Sequence, residues 1–386
     1  MTASFTDLGV SAPTIATLAR QGITAPFRIQ TEVLRDALAG LDVVAEAPTG
    51  SGKTLAFGIP LLERTAGTPG RPSALVLVPT RELAAQVTAD LGGIARSLNL
   101  RVASVYGGAS IGPQAEKARN ANVVVATPGR LDDLLNQRRL TLDGVRVLVL
   151  DEADRMLDMG FRPQVDRIVN RVPKNRQTML FSATLDGDVE TITRAYTQNP
   201  VRVRVERVVQ EGASKVAHAF VEVTDADKHE RLVEHLGVER GLALVFVRTK
   251  HGADRLARRL ERQHDLPALA MHGNMSQPQR ERSLKRFENG DISIMVATDV
   301  AARGLDVDGI THVINFDPPG ADEDYVHRTG RTGRAGRGGT AITLVLPEQR
   351  RDVGQLARRL GHETPFQAPN REARRPQSGR GGRRRS

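Results

Sequence analysis

Short runs of apolar, largely β-branched residues recur along the chain. In the first half they are Val43-Val44-Ala45, Ala74–Val78, Val102–Val105, Val123–Ala126, Val145–Leu150 and Thr178–Phe181. They are apolar throughout rather than alternating, as strands covered on both faces must be. Stretches with helical spacing, such as Glu82–Leu98 and Arg130–Gln137, separate them. Strand, turn and helix in repetition predict a parallel, doubly wound α/β sheet. The rhythm breaks after Asn199-Pro200 and Val201–Val205, and the polar segment Glu206–Lys215 reads as a linker. A second series then begins: Ala219–Val223, Ala243–Val247, Ala268–Met271, Ile292–Ala297, His312–Phe316 and Thr340–Leu346, with helical patterns at Gly252–Gln263 and Gln277–Phe287. The expected organisation is two tandem α/β domains, 1–206 and 218–365, a linker at 207–217 and a tail at 366–386.

Composition changes this picture in few places. A chain of 386 residues is too long for one ordinary core and fits two. There is no cysteine, which excludes disulfides and thiolate metal sites and suits a reducing cytoplasm. Neither a secretory leader nor a membrane span is expected from the apolar runs. The formal net charge is +10, with the Arg excess densest in 366–386. A basic balance favours a polyanion, nucleic acid foremost, although a mildly basic protein needs no such partner. The Arg-, Gly- and Pro-rich tail has too little apolar surface to order itself. Trp is absent and Tyr numbers 3, so a nucleic-acid surface built on base stacking is not expected. Contacts to the nucleic-acid backbone through Arg, hydroxyls and main-chain amides fit better.

Two motifs carry the chemistry. Ala47-Pro48-Thr49-Gly50-Ser51-Gly52-Lys53-Thr54 stands between a strand and a helix pattern. Its glycines let amides approach phosphate oxygens at a helix N-terminus, Lys53 reaches the β- and γ-phosphates, and Thr54 ligates Mg²⁺. Asp151-Glu152-Ala153-Asp154 ends the strand at Leu150. There Asp151 faces the Mg²⁺ of ATP, and Glu152 can polarise a water as general base. Taken alone, the first is a loop containing Gly-Lys-Thr and the second an acidic helix start.

With these motifs in place, the chain resembles the DEAD-box RNA helicases of superfamily 2 from about Phe5 to Leu360. Asp151–Asp154, Leu157–Phe161 and His272-Gly273-Asn274 look most like the bacterial RhlE-like subgroup. The resemblance implies two RecA-like domains, ATP with Mg²⁺ as cofactors, and RNA as partner. It implies that Gln30 reads the adenine edge and that Phe5 packs on the base. Without the family, Gln30 would be an ordinary surface residue. Here the chain departs from the family. Gly22-Ile23 stands where Gly is followed by an aromatic, and Phe27-Arg28-Ile29-Gln30 where Thr-Pro-Ile-Gln is common. Ser182-Ala183-Thr184 is implied to bond the acidic motif and couple hydrolysis to strand separation; alone it reads as a helix cap.

The loops Pro79-Thr80-Arg81, Gly107-Gly108 and Thr127-Pro128-Gly129-Arg130 each follow a strand, where such sheets bind ligands. The resemblance assigns them to the RNA backbone, together with Thr249, Gln279, Arg282 and Thr298. It gives Asp299 and Asp306 to the interdomain and nucleotide side, and makes His327 a link between motifs. Arg331 and Arg334, three apart, would share a helical face and clamp the γ-phosphate; a solvated basic helix has the same spacing.

The implied activity is RNA-stimulated ATP hydrolysis coupled to local unwinding or remodelling of short duplexes and RNA–protein complexes. A cytoplasmic monomer with ribosome-assembly or RNA-decay partners is expected. An ATP-gated RNA clamp, another P-loop enzyme and a DNA helicase remain as rivals.

Overall fold

The computed structural model describes residues 3–48, 50–205, 216–237, 241–302, 307–333 and 338–362. The chain divides into two compact units, Met1–Gln210 and Glu211–Ser386. Thr49, Asp306, Arg334 and the 366–386 tail lie outside the described residues, as does most of the expected linker.

In unit 1, β1 (Val43–Glu46), β2 (Ala74–Leu77), β3 (Val102–Val105), β4 (Val123–Ala126), β5 (Val147–Leu150), β6 (Gln177–Ser182) and β7 (Val201–Arg204) form one sheet in the order β3-β4-β2-β5-β6-β1-β7. Every pairing is parallel. The continuous apolar runs have a direct cause. Val43, Ala45, Val76, Val125, Val149 and Phe181 enter one core. Their neighbours Val44, Leu75, Leu77, Val124, Leu148 and Leu150 enter another on the opposite face. Each fully buried large side chain contributes roughly 1.5–3 kcal/mol, and the tilted pair Phe57–Phe181, 5.4 Å between centroids, ties a helix to the sheet.

The run Val201–Val205, at the end of the expected first domain, contains β7, an edge strand of the sheet. Val201 and Val203 are half-buried and Arg202 and Arg204 exposed, so the strand alternates. The arginines bond Glu190 and Glu46, and a charged edge discourages pairing with another chain.

Unit 2 repeats the design with β8 (Val216–Glu222), β9 (Leu242–Phe246), β10 (Ala268–Met271), β11 (Ile294–Ala297), β12 (Ile310–Asn315) and β13 (Gly339–Val345), ordered β10-β11-β9-β12-β13-β8. Its two faces again carry separate cores. β8 begins at Val216, inside the expected linker, because it pairs with β13 from Gly339 onward. Among the described residues no helix is long and apolar enough to cross a membrane.

Candidate nucleotide site and nucleic-acid loops

Parallel strands send all their following loops off one sheet edge, and the strand order sorts those loops. Gly107-Gly108 follows β3, Thr127–Arg130 follows β4 and Pro79–Arg81 follows β2, three adjacent strands. The acidic motif follows β5, Ser182–Thr184 ends β6 and the phosphate cradle follows β1, the next three. Unit 2 has the same arrangement: the loops after β10, β11 and β9 carry His272–Asn274, Thr298 and Thr249, and the helix after β12 carries His327.

In the cradle, Gly50 and Gly52 take positive φ values of 81° and 89° before the helix Lys53–Thr65. A Cβ on Gly52 would stand 2.5 Å from Phe27 Cδ2 and 2.7 Å from Gln30 Nε2. Lys53 Nζ donates to Ala47 O at 3.0 Å, Thr54 lies in the first helical turn, and Ser51 Oγ is buried without a partner among the described residues. Positive-φ glycines, a buried lysine and an orphaned hydroxyl fit a phosphate chain.

Asp151 is 3% exposed, and burial pushes its carboxyl up to about 7 despite Lys53. A divalent cation would offset that burial. Among the described residues no group of three or more His, Cys, Asp or Glu could hold a metal. One buried carboxylate beside a phosphate cradle is a donor set that suits Mg²⁺, which keeps waters and binds through one or two carboxylates plus phosphates. Glu152 has φ of 51°, an uncommon conformation for a residue other than glycine. Its Oε2 accepts from Arg155 Nη1 at 2.8 Å, and both side chains are buried. Arg155 escaped the sequence reading, although its i,i+3 spacing from Glu152 was visible.

Ser182 is no helix cap, because the next helix starts at Gly187 with Asp186 as its N-cap. β5 and β6 pair with Leu150 opposite Leu180, so Ser182 lies two residues beyond the end of β5. Asp154 N donates to Ser182 Oγ at 3.2 Å, and Ala183 N donates to Asp154 Oδ2 at 3.0 Å. Two reciprocal bonds thus clasp the acidic motif to the end of β6, whereas Thr184 is exposed.

Gln30 is no surface residue, being 2% exposed. Its Oε1 accepts from Phe27 N at 2.9 Å and its Nε2 donates to Gly52 O at 3.0 Å. An amide has two donors and two acceptor lone pairs, so one of each is left. Phe5 is 3% exposed and sits in the hydrophobic core; a ring so enclosed cannot serve as an open platform. Ile23 packs against that core, and Arg28 is exposed.

On the other half of the edge, Thr80 and Thr249 do the same local job. Each is the N-cap of the helix after its strand, accepting from Leu83 N at 3.2 Å and Gly252 N at 3.0 Å. That bond uses one acceptor lone pair and does not spend the O–H donor of either hydroxyl. Arg81 packs on the glycine pair: a Cβ on Gly108 would meet its Nη1 at 2.3 Å. Arg130 Nη1 donates to Ala109 O at 2.8 Å, Thr127 is buried, and a Cβ on Gly129 would meet open space. In unit 2, Gln279 Oε1 accepts from Ser276 N at 2.9 Å and Arg282 Nε donates to Pro278 O at 3.2 Å. Gln279, Arg282 and Arg286 line one concavity of about 620 Å³. Thr298 is buried, 7% exposed.

One expectation for unit 2 needs correction. The helix carrying His327 spans Asp322–Thr329 and stops at Gly330, so Arg331 lies beyond it rather than on its face, and Arg334 lies outside the described residues. Arg331 is 4% exposed, its Nε donating to His327 O at 3.3 Å. Arg328 grips both carboxylate oxygens of Asp299. Arg328 also donates to Asn315 Oδ1 at 3.0 Å and Asp317 O at 2.7 Å, a buried hub that the basic run concealed.

A phosphate cradle, an acidic strand end and matching sets of loops after the strands of two parallel-sheet units define a nucleoside-triphosphate-binding helicase core. The DEAD/DEAH box helicase family model matches residues 27–192, and the helicase conserved C-terminal domain model matches 227–336. The chain belongs to the DEAD-box helicase family. It is 40% identical over 352 residues to the DEAD-box ATP-dependent RNA helicase CshA of Bacillus subtilis, covering 91% of this chain and 71% of that one. It is 42% identical over 371 residues to the ATP-dependent RNA helicase DBP2 of Lodderomyces elongisporus, covering 92% of this chain. The chain spans 66% of the length of that DBP2, a little under two thirds. Among solved structures, Saccharomyces cerevisiae Dbp5 bound to RNA and ADP BeF3 matches with a TM-score of 0.85 at 28% identity, covering 95% of each chain.

Proposed function

We propose that this chain is an ATP-dependent RNA helicase whose ATP hydrolysis is stimulated by RNA and coupled to local unwinding of short duplexes. The observation that carries the reading is the clasp between Asp154 and the Ser182–Ala183 strand end. It lies among the nucleotide loops, beside the strands that bear the RNA loops. In this reading Lys53, Thr49, Gly50, Ser51 and Gly52 hold phosphates, while Gln30 spends its remaining donor and acceptor on adenine. Thr54 and Asp151 hold Mg²⁺, whose chemistry is to neutralise phosphate charge. Glu152 orients the attacking water and accepts its proton. Arg331, with Arg334, stabilises charge on the γ-phosphate during turnover, and His327 positions that segment. Pro79, Thr80, Arg81, Gly107, Gly108, Thr127, Pro128, Gly129, Arg130, Thr249, Gln279, Arg282 and Thr298 contact the RNA backbone without reading sequence.

Relatives named as RNA helicases and a Dbp5 structure titled as bound to RNA support RNA as the partner. We also propose a cytoplasmic monomer acting in ribosome assembly or RNA decay. The RhlE-like subgroup rests on motif spelling alone, whereas the relatives above carry the names CshA and DBP2. The test is ATP hydrolysis with and without single-stranded RNA, with single-stranded DNA as comparison and Glu152→Gln as control. Stimulation by RNA alone, abolished in the variant, is expected. A flat response with ATP-dependent RNA retention points to a clamp, and equal stimulation by DNA removes the RNA assignment.

A further inference from the structure

Phe27 is 60% exposed, one of three large apolar side chains so placed among the described residues. It joins neither hydrophobic core of unit 1 and stands where the family commonly has Thr. Its position is nonetheless fixed. It is the residue before the helix Arg28–Ala39, in extended conformation. Its amide donates to Gln30 Oε1 at 2.9 Å, and its ring edge abuts Gly52, leaving no room for a Cβ. An open aromatic face thus shares a rim with an amide that has one donor and one acceptor left and with the last glycine of the phosphate cradle. Exposing such a ring forgoes the favourable burial of its apolar area, a loss that a flat aromatic ligand would recover. Phe5, which the resemblance assigns to that task, is enclosed in the core.

We propose that Phe27 is the aromatic wall of the base subsite, stacking on the adenine whose edge meets the Gln30 amide. This deepens the nucleotide-site reading and rests on it. Phe27 then acts on base binding and not on the phosphates, and the two contributions can be separated with ligands that lack a base.

The chain contains no Trp, so the full-length variant F27W carries a single indole at the site. ADP is expected to quench its emission, and pyrophosphate to leave it unchanged. In calorimetry Phe27→Ala should weaken ADP binding about fivefold or more, as the loss of one base–aromatic stack does. It should leave pyrophosphate binding within about twofold, too small a change for a lost contact, and Phe27→Tyr should retain the wild-type ADP affinity. Equal weakening of ADP and pyrophosphate in Phe27→Ala would mean the ring only props the cradle, and would overturn the proposal. So would an F27W indole that stays silent while ADP binds. Failure of the wild-type chain to bind ADP would overturn the nucleotide site itself, and this inference with it.

Discussion

Replacing Arg155 by Met should destabilise unit 1 severely while leaving its packing volume nearly intact. Arg155 is 2% exposed and Glu152 7%, and their charged groups are 2.8 Å apart at the closest atoms. With charge centres about 4 Å apart and an effective dielectric constant of about 20, the attraction is about 4 kcal/mol. Removing one partner leaves the Glu152 carboxylate buried without that cation, a defect that costs about 3–5 kcal/mol. The double variant Arg155→Met, Glu152→Gln carries no such charge and should recover most of the loss. The assay is native-state hydrogen exchange on β5 and β6 peptides, which isolates unit 1 from unfolding of unit 2. A cost below about 1 kcal/mol, or a double variant whose cost equals the sum of the two singles, would refute the account of this pair.

Other outcomes can be checked alongside it. Gly52→Ala must place a Cβ 2.5 Å from Phe27 at a φ of 89°; it should cost about 1–2 kcal/mol in a thermal melt and at least tenfold in ADP affinity. His218 stacks on His362, 3.9 Å between ring centroids, and its Nδ1 lies 2.7 Å from Tyr325 Oη. Burial, then the charge of His362, pushes its pKa down to about 4. The unfolded chain takes up that proton first, so this stability is present above pH ~6.5 and lost as pH falls toward 4. The loss is worth about 1–2 kcal/mol after discounting for solvent around a half-exposed ring. Melts at pH 7.5 and 5 should show a smaller acid loss for His218→Asn than for wild type. Ser182→Ala removes one bond of the clasp and should cost about 1 kcal/mol, read by exchange at Asp154 N. Truncation after Gln367 should flatten the salt dependence of RNA binding; an unchanged log–log slope would show that the tail contributes no phosphate contacts.

What the sequence revealed depended on whether the cause was local. Central strands such as Val123–Ala126 were plain because burial on both faces demands an apolar residue at every position. The edge strand Val201–Arg204 mixes valines with exposed arginines and reads as surface. Val216 and Ala217 lack any pattern, because β13 rather than periodicity makes them a strand. The motifs located the nucleotide side, but burial of polar groups is a tertiary fact: nothing local distinguishes a Gln30 that bonds Gly52 from one in water. The arginine spacing misled because Gly330 ends the helix one residue before Arg331.

The strand order also bears on how such a motor separates its two tasks. The loops after β3 and β4 are separated from the cradle by β2, β5 and β6. Under the proposed assignment, a substitution in those loops can alter the grip on RNA while three strands separate it from the cradle. That separation ends at one ladder, where β2 and β5 run side by side with Leu77 opposite Leu150. Under the same assignment, a substitution on that seam disturbs both tasks at once.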